Sequence, residues 1–201
     1  KKEILILRHS IKQLNLEESG NEIQKILSER PDRNCSFIPR LYQYGRIRDD
    51  KGKELGAYSI MEKVMGGDLF YRMYKRMYQY DYEKVRLLAL NIARALKCMH
   101  DAGYTHYDLK PENIMLVHPL LKGRISRREK LIRDTNIKLI DFGFSLDQPL
   151  NRYAGTLFYM APEILLSPKG QPRGGPSADI WGLGLIVWFV ITNLSLYDPE
   201  D

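Results

Sequence analysis

Residues 104–113 read YTHYDLKPEN and bring Asp108, Lys110 and Asn113 close together on one short segment. An aspartate can accept the proton of an attacking hydroxyl, and a lysine ammonium can neutralise charge on a transferring phosphoryl group. An asparagine carbonyl can bind a hard divalent cation. A second carboxylate, Asp141, leaves the apolar run IKLI and is followed by Phe142 and Gly143. That placement lets it aim into a cleft as a further metal ligand. Each feature alone has an ordinary alternative. Asp108 and Asn113 could merely satisfy backbone groups where a helix ends, and Asp-Phe-Gly could be a turn. Taken together, the four supply the positioning and charge neutralisation that phosphoryl transfer needs.

These residues need elements to hold them. DYEKVRLLALNIARALKCMH (81–100) predicts an amphipathic helix, with Val85, Leu88, Ile92, Ala95, Leu96 and Met99 on one side. The 104–113 segment follows it directly, and short strands are expected at 114–117 and 137–140. Upstream, 3–8, 37–45 and 56–64 read as strands. Residues 16–30 read as a helix through Ile23, Ile26 and Leu27. Asp68 can cap a short helix that begins DLFYRMY. Residues 177–192, SADIWGLGLIVWFVIT, are apolar almost all round and predict a buried helix.

Composition narrows the classes. Of the 201 residues, 44% are hydrophobic and 28% charged, which excludes wholesale disorder. The longest apolar run has 12 residues (180–191), too few to span a bilayer. The net charge is +6, but no basic stripe carries interleaved aromatics and no zinc-type spacing occurs, so no nucleic-acid partner is expected. Cys35 and Cys98 are read as unpaired thiols in a reducing, intracellular and cytoplasmic setting. No signal peptide is visible, and the start KKEILIL lacks an initiator Met, as in a fragment or processed product.

HYDLKPEN, then DFG, then Ala161-Pro162-Glu163, then DIWGLG at 179–184, in that order, resembles the eukaryotic protein kinase family. GTLFYMAPEIL is similar to its activation-segment end, and MEKVMGGDLF to its interlobe hinge. The resemblance implies an α+β, bilobal fold. A small β-rich N-lobe (1–64) and a mainly helical C-lobe (65–201) would each be incomplete. It implies ATP and Mg²⁺ as cofactors and a protein substrate phosphorylated on Ser or Thr, since Lys110 and Thr156 follow the serine/threonine pattern. Asp108 and Lys110 would be catalytic, and Asn113 and Asp141 would hold metal. Glu22 resembles the helix glutamate that pairs with a strand lysine, with Met61 as gatekeeper. The Glu62 carbonyl and Val64 amide would meet adenine, and Asp68 the ribose. Ile26, Leu41, His106 and Phe142 resemble the stacked residues that join the lobes. Asp179 resembles the aspartate that anchors the catalytic loop.

The sequence departs from the family at several points. It has no GxGxxG and no Val-Ala-Ile-Lys. Lys2 or Arg8 could stand for the strand lysine, and Lys2 is favoured because a guanidinium is not a compact ammonium. Glu163 lacks the family's arginine partner. These departures keep a second reading open, a pseudokinase or scaffold, and predict that the 201 residues alone are poorly stable and weakly active or inactive. Tyr107 stands where many kinases carry an arginine that pairs with a phosphorylated loop. Activity independent of phosphorylation at Ser145 or Tyr153 is therefore expected. The basic stretch 122–133 reads as a solvated insertion ahead of a docking contact.

Overall fold

The computed structural model describes residues 4–9, 14–30, 33–74, 81–119, 126–150, 155–168, 171, 173–194 and 196, with backbone alone at 4, 6–9, 14–17, 33 and 34. β1 (Ile4–His9), β2 (Leu41–Arg48) and β3 (Glu54–Glu62) form an antiparallel sheet of order β1-β3-β2. In it Leu5 pairs with Met61, Leu7 with Ser59 and Arg8 with Tyr58. α1 (Leu14–Ser28) packs against this sheet, and a 3-10 turn (Arg33–Phe37) leads from it to β2. The expected strand at 37–45 therefore starts later, after that turn.

The remainder is mainly helical. α2 (Leu69–Tyr74) starts at Asp68, whose Oδ1 accepts the Tyr71 N–H at 2.7 Å. α3 (Tyr82–Asp101) is capped by Asp81, which accepts the Lys84 N–H at 2.9 Å. Its apolar face buries Leu88, Ile92, Ala95, Leu96 and Met99, as the 3.6-residue period requires. A two-stranded hairpin, β4 (Ile114–Leu116) and β5 (Ile137–Leu139), carries α4 (Arg127–Thr135) between its strands. α5 (Pro162–Leu166) and α6 (Pro176–Thr192) complete the C-lobe. The expected burial of α6 holds on one face. Ala178, Asp179, Gly182, Leu185, Ile186, Phe189 and Val190 are buried, while Ile180, Trp188 and Ile191 are exposed.

One apolar core crosses both lobes. Ile23 and Leu27 of α1 and Ile38 join α3, β4, β5, Phe142 and the inner face of α6. The Cys35 and Cys98 sulfurs are bonded at 1.93 Å, tying the 3-10 turn to α3. This corrects the reading of two unpaired thiols and removes the premise for inferring a reducing compartment from them. Long sequence separation hid the pair, because only the fold brings residues 63 apart together. Lys138 of β5 adds a polar link, with its Nζ 3.0 Å from Glu62 Oε2 and 3.3 Å from the Ile38 carbonyl oxygen. No helix among the described residues is long and apolar enough to cross a membrane.

Candidate active site

Asp179, 1% exposed in the first turn of α6, organises the segment that precedes Asp108. Its Oδ2 accepts the His106 N–H and its Oδ1 the Tyr107 N–H, both at 2.9 Å. His100 Nε2 lies 2.8 Å from the same Oδ2. The backbone is thereby turned so that Tyr107 takes φ 64°, a region a bulky residue occupies only when its surroundings over-determine it. His106 Nδ1 accepts the Asp108 N–H at 3.2 Å, which leaves its Nε2–H to donate to the Ile140 carbonyl at 3.1 Å.

Asp108 is 2% exposed, and both oxygens of its carboxylate have partners. Oδ1 accepts the Thr156 N–H and the Thr156 hydroxyl, each at 2.7 Å. Oδ2 faces Lys110 Nζ at 2.9 Å and Asn113 Nδ2 at 3.2 Å. Lys110 Nζ also donates to Thr156 Oγ1 at 2.7 Å. An aliphatic hydroxyl thus sits between an aspartate and a lysine, the two groups that could take its proton and balance incoming negative charge. Gly155 makes the approach possible: a Cβ there would meet the Tyr107 carbonyl oxygen at 2.4 Å, and its φ is +99°.

Asn113 is held in a 3-10 turn (Pro111–Asn113), where its Nδ2 also donates to the Asp108 carbonyl at 2.8 Å. Its Oδ1 is left to serve as an acceptor. Asp141, at φ 63°, follows β5, and its exposed carboxylate accepts the Gly143 N–H at a long 3.3 Å. Both residues line a cavity of about 270 Å³ between the lobes, together with Met61, Glu62 and Val64. An amide oxygen and a free carboxylate oxygen on adjacent strand ends fit Mg²⁺, which is usually held by few protein ligands plus phosphate oxygens. No group of three His, Cys, Asp or Glu among the described residues could hold a metal ion, which leaves room beside Asn113 and Asp141 for water or phosphate oxygens.

The upper wall of this cavity differs from expectation. Glu22 is exposed and outside the lining, because the inward face of α1 runs through Gly20, Asn21, Ile23, Gln24 and Leu27. Ile26 is likewise 43% exposed, so it does not stack between the lobes. Ile23 and Leu27 join Phe142 in the core instead, and His106 meets the Phe142 ring at 5.6 Å. Leu41 is buried. Neutral groups take the place intended for Glu22. Asn21 Oδ1 accepts the Ser59 hydroxyl at 2.9 Å, and Gln24 Nε2 donates to the Pro39 carbonyl at 3.0 Å. A Cβ at Gly20 would meet the Phe142 carbonyl carbon at 2.7 Å and the Gly143 nitrogen at 2.8 Å, so α1 rests directly on the Asp-Phe-Gly backbone. Spacing at 20, 23, 24 and 27 was the available signal, since it excludes both Glu22 and Ile26. Lys2 lies outside the described residues. Arg8 pairs with Tyr58 by register, and Leu7 is the residue opposite Ser59.

Tyr107 anchors a second, smaller core. Its ring packs with Leu150, Ala161, Ile164 and Ala178, and its hydroxyl donates to the Gln148 carbonyl at 3.2 Å. Burial pushes its phenol pKa up. Ser145 is 1% exposed, with its hydroxyl 3.5 Å from the His106 carbonyl, so it is not presented for modification; Tyr153 lies outside the described residues. Glu163 Oε1 accepts the Ser177 hydroxyl at 3.1 Å.

The fold is two-lobed and α+β, with this cleft between the lobes. The protein kinase domain family model matches residues 8–201, and the chain belongs to that family. It is 36% identical over 156 residues to a probable cAMP-dependent protein kinase catalytic subunit of Encephalitozoon cuniculi, covering 77% of this chain and 40% of the relative. Calcium-dependent protein kinase 2 of Arabidopsis thaliana is 34% identical over 150 residues, 73% of this chain and 20% of that protein. The human serine/threonine-protein kinase ULK1 is 32% identical over 189 residues, 90% of this chain and 16% of that protein. A crystal structure of a kinase domain superposes with a TM-score of 0.75 at 24% identity, covering 98% of this chain and 58% of that one. The chain spans 40% or less of the length of these three curated relatives.

Proposed function

We propose that this chain is the catalytic region of a serine/threonine protein kinase that moves the γ-phosphoryl group of ATP to a Ser or Thr hydroxyl of a protein. The observation that carries this reading is the Thr156 hydroxyl held at 2.7 Å from both Asp108 Oδ1 and Lys110 Nζ. A substrate hydroxyl approaching the same pair gives its proton to Asp108 as its oxygen bonds to the γ-phosphorus. The bond from that phosphorus to the β-phosphate oxygen breaks, and Lys110 offsets charge on the equatorial oxygens. Asn113 and Asp141 would hold Mg²⁺, which when bound neutralises phosphate oxygens. Met61, Glu62 and Val64 line the adenine end, where recognition runs through the Glu62 carbonyl and the Val64 amide. The Asp68 oxygen not used in capping α2 is left for the ribose. Lys2 is the proposed partner of the phosphates, and Glu22 has no place in that pairing. Residues 1–64 and 65–201 are proposed as the two lobes.

A pseudokinase or scaffold is the second reading. It is favoured by the absence of any Lys or Arg among the cavity's described lining residues. The deciding experiment is transfer of labelled γ-phosphate to a serine- and threonine-containing peptide library by the full-length protein, compared with Asp108→Asn. Asp108→Asn is expected to lower the rate by about 10²–10⁴-fold with nucleotide binding retained. Nucleotide binding with no transfer by either protein would instead establish the scaffold reading, and label on tyrosine alone would overturn the serine/threonine assignment.

A further inference from the structure

The connection between the lobes is fastened on both sides, and on the N-lobe side the fastening is an ion pair. Past the connection, the Gly66 N–H donates to the Leu116 carbonyl and the Leu116 N–H to the Gly67 carbonyl, both at 2.8 Å. Arg72 Nε adds a bond to the Gly66 carbonyl at 2.7 Å. Ahead of it, the end of β3 is met by Lys138. On β5 this lysine pairs across the hairpin with Met115, so the two share one face of the hairpin, and Met115 lines the cavity. Lys138 itself stands outside the lining, with 14% of its side chain exposed. An ammonium so enclosed needs partners. Those it meets are N-lobe groups, Glu62 Oε2 at 3.0 Å and the Ile38 carbonyl oxygen at 3.3 Å.

Glu62 is thereby held from two directions. Its Oε2 also accepts the Arg40 N–H at 3.1 Å, while its own N–H donates to the Arg40 carbonyl at 2.8 Å. The segment 35–40 is itself moored to the C-lobe, since Cys35 is bonded to Cys98 of α3 and Ile38 is buried in the shared core. Residues 63–65 are left as the span between the two fastenings, and Val64 lies in it. We propose that Lys138 is a positioning residue: by clasping Glu62 to the C-lobe it limits how far the connection opens, and so sets how fast an adenine nucleotide leaves the cleft. Lobe opening is absorbed by a few residues at such a connection, so a small shift of Glu62 is magnified at the mouth of the cleft. The effect on nucleotide release rests on the reading of the Glu62 carbonyl and Val64 amide as the adenine edge; the effect on the connection does not.

Two measurements on the full-length protein separate these effects. Hydrogen–deuterium exchange over residues 63–67 without nucleotide reads the connection itself. Displacement of N-methylanthraniloyl-ADP by excess ADP in the presence of Mg²⁺ reads release. Lys138→Met is expected to speed both by about tenfold, because loss of one partner of an enclosed ion pair acts mainly on dissociation. Lys138→Arg, which keeps a cation at this place, is expected to bring both rates back towards the wild-type values. The exchanged pair, Lys138→Glu with Glu62→Lys, is expected to do the same, since it keeps the Glu62 site's backbone carbonyl and reverses only the charges. Amide exchange unchanged in Lys138→Met would overturn the role of Lys138. A lowered thermal midpoint with unchanged release would reduce the pair to a stabilising contact and overturn it equally, as would faster rates that neither rescue variant reverses. Wild-type protein that bound no labelled ADP would remove the adenine reading instead, and amide exchange would still decide whether Lys138 restrains the connection.

Discussion

The two walls of the interlobe cleft are built on different chemistry. On the C-lobe side, Asp108 and Asp179, behind the residues that line the cavity, are almost wholly buried carboxylates whose oxygens are met by N–H, O–H or ammonium donors. On the N-lobe side, α1 faces the cleft with a glycine and two carboxamides, and the contacts are neutral or purely steric. A buried charge is tolerated only with its partners in place, so the lower wall is rigid and each partner is exacting. The α1 part of the upper wall is set by closeness of approach, which its neutral face allows.

That contrast is open to direct test. Asp179→Ala should have the largest effect on stability, because it strips acceptors from the buried His106 and Tyr107 N–H groups and from His100. Its unfolding free energy should fall by about 3–5 kcal/mol in urea titration. A loss below about 1 kcal/mol would mean that the lower wall does not rely on its charges. Gly20→Ala tests the upper wall through the sign of the change. In an open helix the substitution would stabilise by about 1 kcal/mol. Against Phe142 and Gly143 it should destabilise by roughly 1–3 kcal/mol and weaken Mg-nucleotide binding by displacing Asp141. A stabilised Gly20→Ala protein would show that α1 does not rest on that backbone.

Tyr107→Phe keeps the ring in its apolar cluster and deletes the hydroxyl that meets Gln148. The expected cost is about 1 kcal/mol, with phosphoryl transfer retained when activation-segment phosphorylation is blocked by phosphatase. Transfer abolished by phosphatase would show that packing around Tyr107 does not replace a phosphate-dependent contact. The smallest effect concerns how α1 is tethered on its outer side. The Arg46 guanidinium beside Glu18 and Glu54 holds both carboxyls below the usual 4.5. A depressed folded-state pKa contributes stability that is complete above pH 4.5 and disappears as pH falls through the lowered values. Thermal midpoints should therefore drop slightly more between pH 5 and 3 in the native protein than in Arg46→Met, as about two exposed ion pairs are neutralised. Equal acid slopes would remove Arg46 as a tether.

The same two walls differ in how far they could be read from residues alone. The C-lobe wall was legible because its groups lie on short contiguous motifs: HYDLKPEN, DFG, APE and DIWGLG each carry a polar residue at a defined offset. Asp179 reaches His106 and Tyr107 across the fold, yet its own motif already marked it. The N-lobe wall was misread at Glu22 and Ile26. Residue type drew attention to them, but the rotation of α1 about its axis decides which side chains face inward. A shift of one position turns a helix by about 100°, enough to move a glutamate from cleft to solvent. α4 was also missed as a helix, since its strongly polar residues give a weak apolar period and its anchors, Lys84 and Asn91, lie on α3.

The sequence by itself determined the family and the placement of Asp108, Lys110 and Asn113 on one short segment, because those depend on local spacing and on residue chemistry. Tertiary structure alone decided the pairing of Cys35 with Cys98, the turn of α1 that brings Gly20, Asn21 and Gln24 to the cleft, and the small core around Tyr107. These are contacts between segments far apart in the chain. Their partners are selected by packing and by the need to satisfy buried polar groups, and neither can be evaluated until the whole fold is closed.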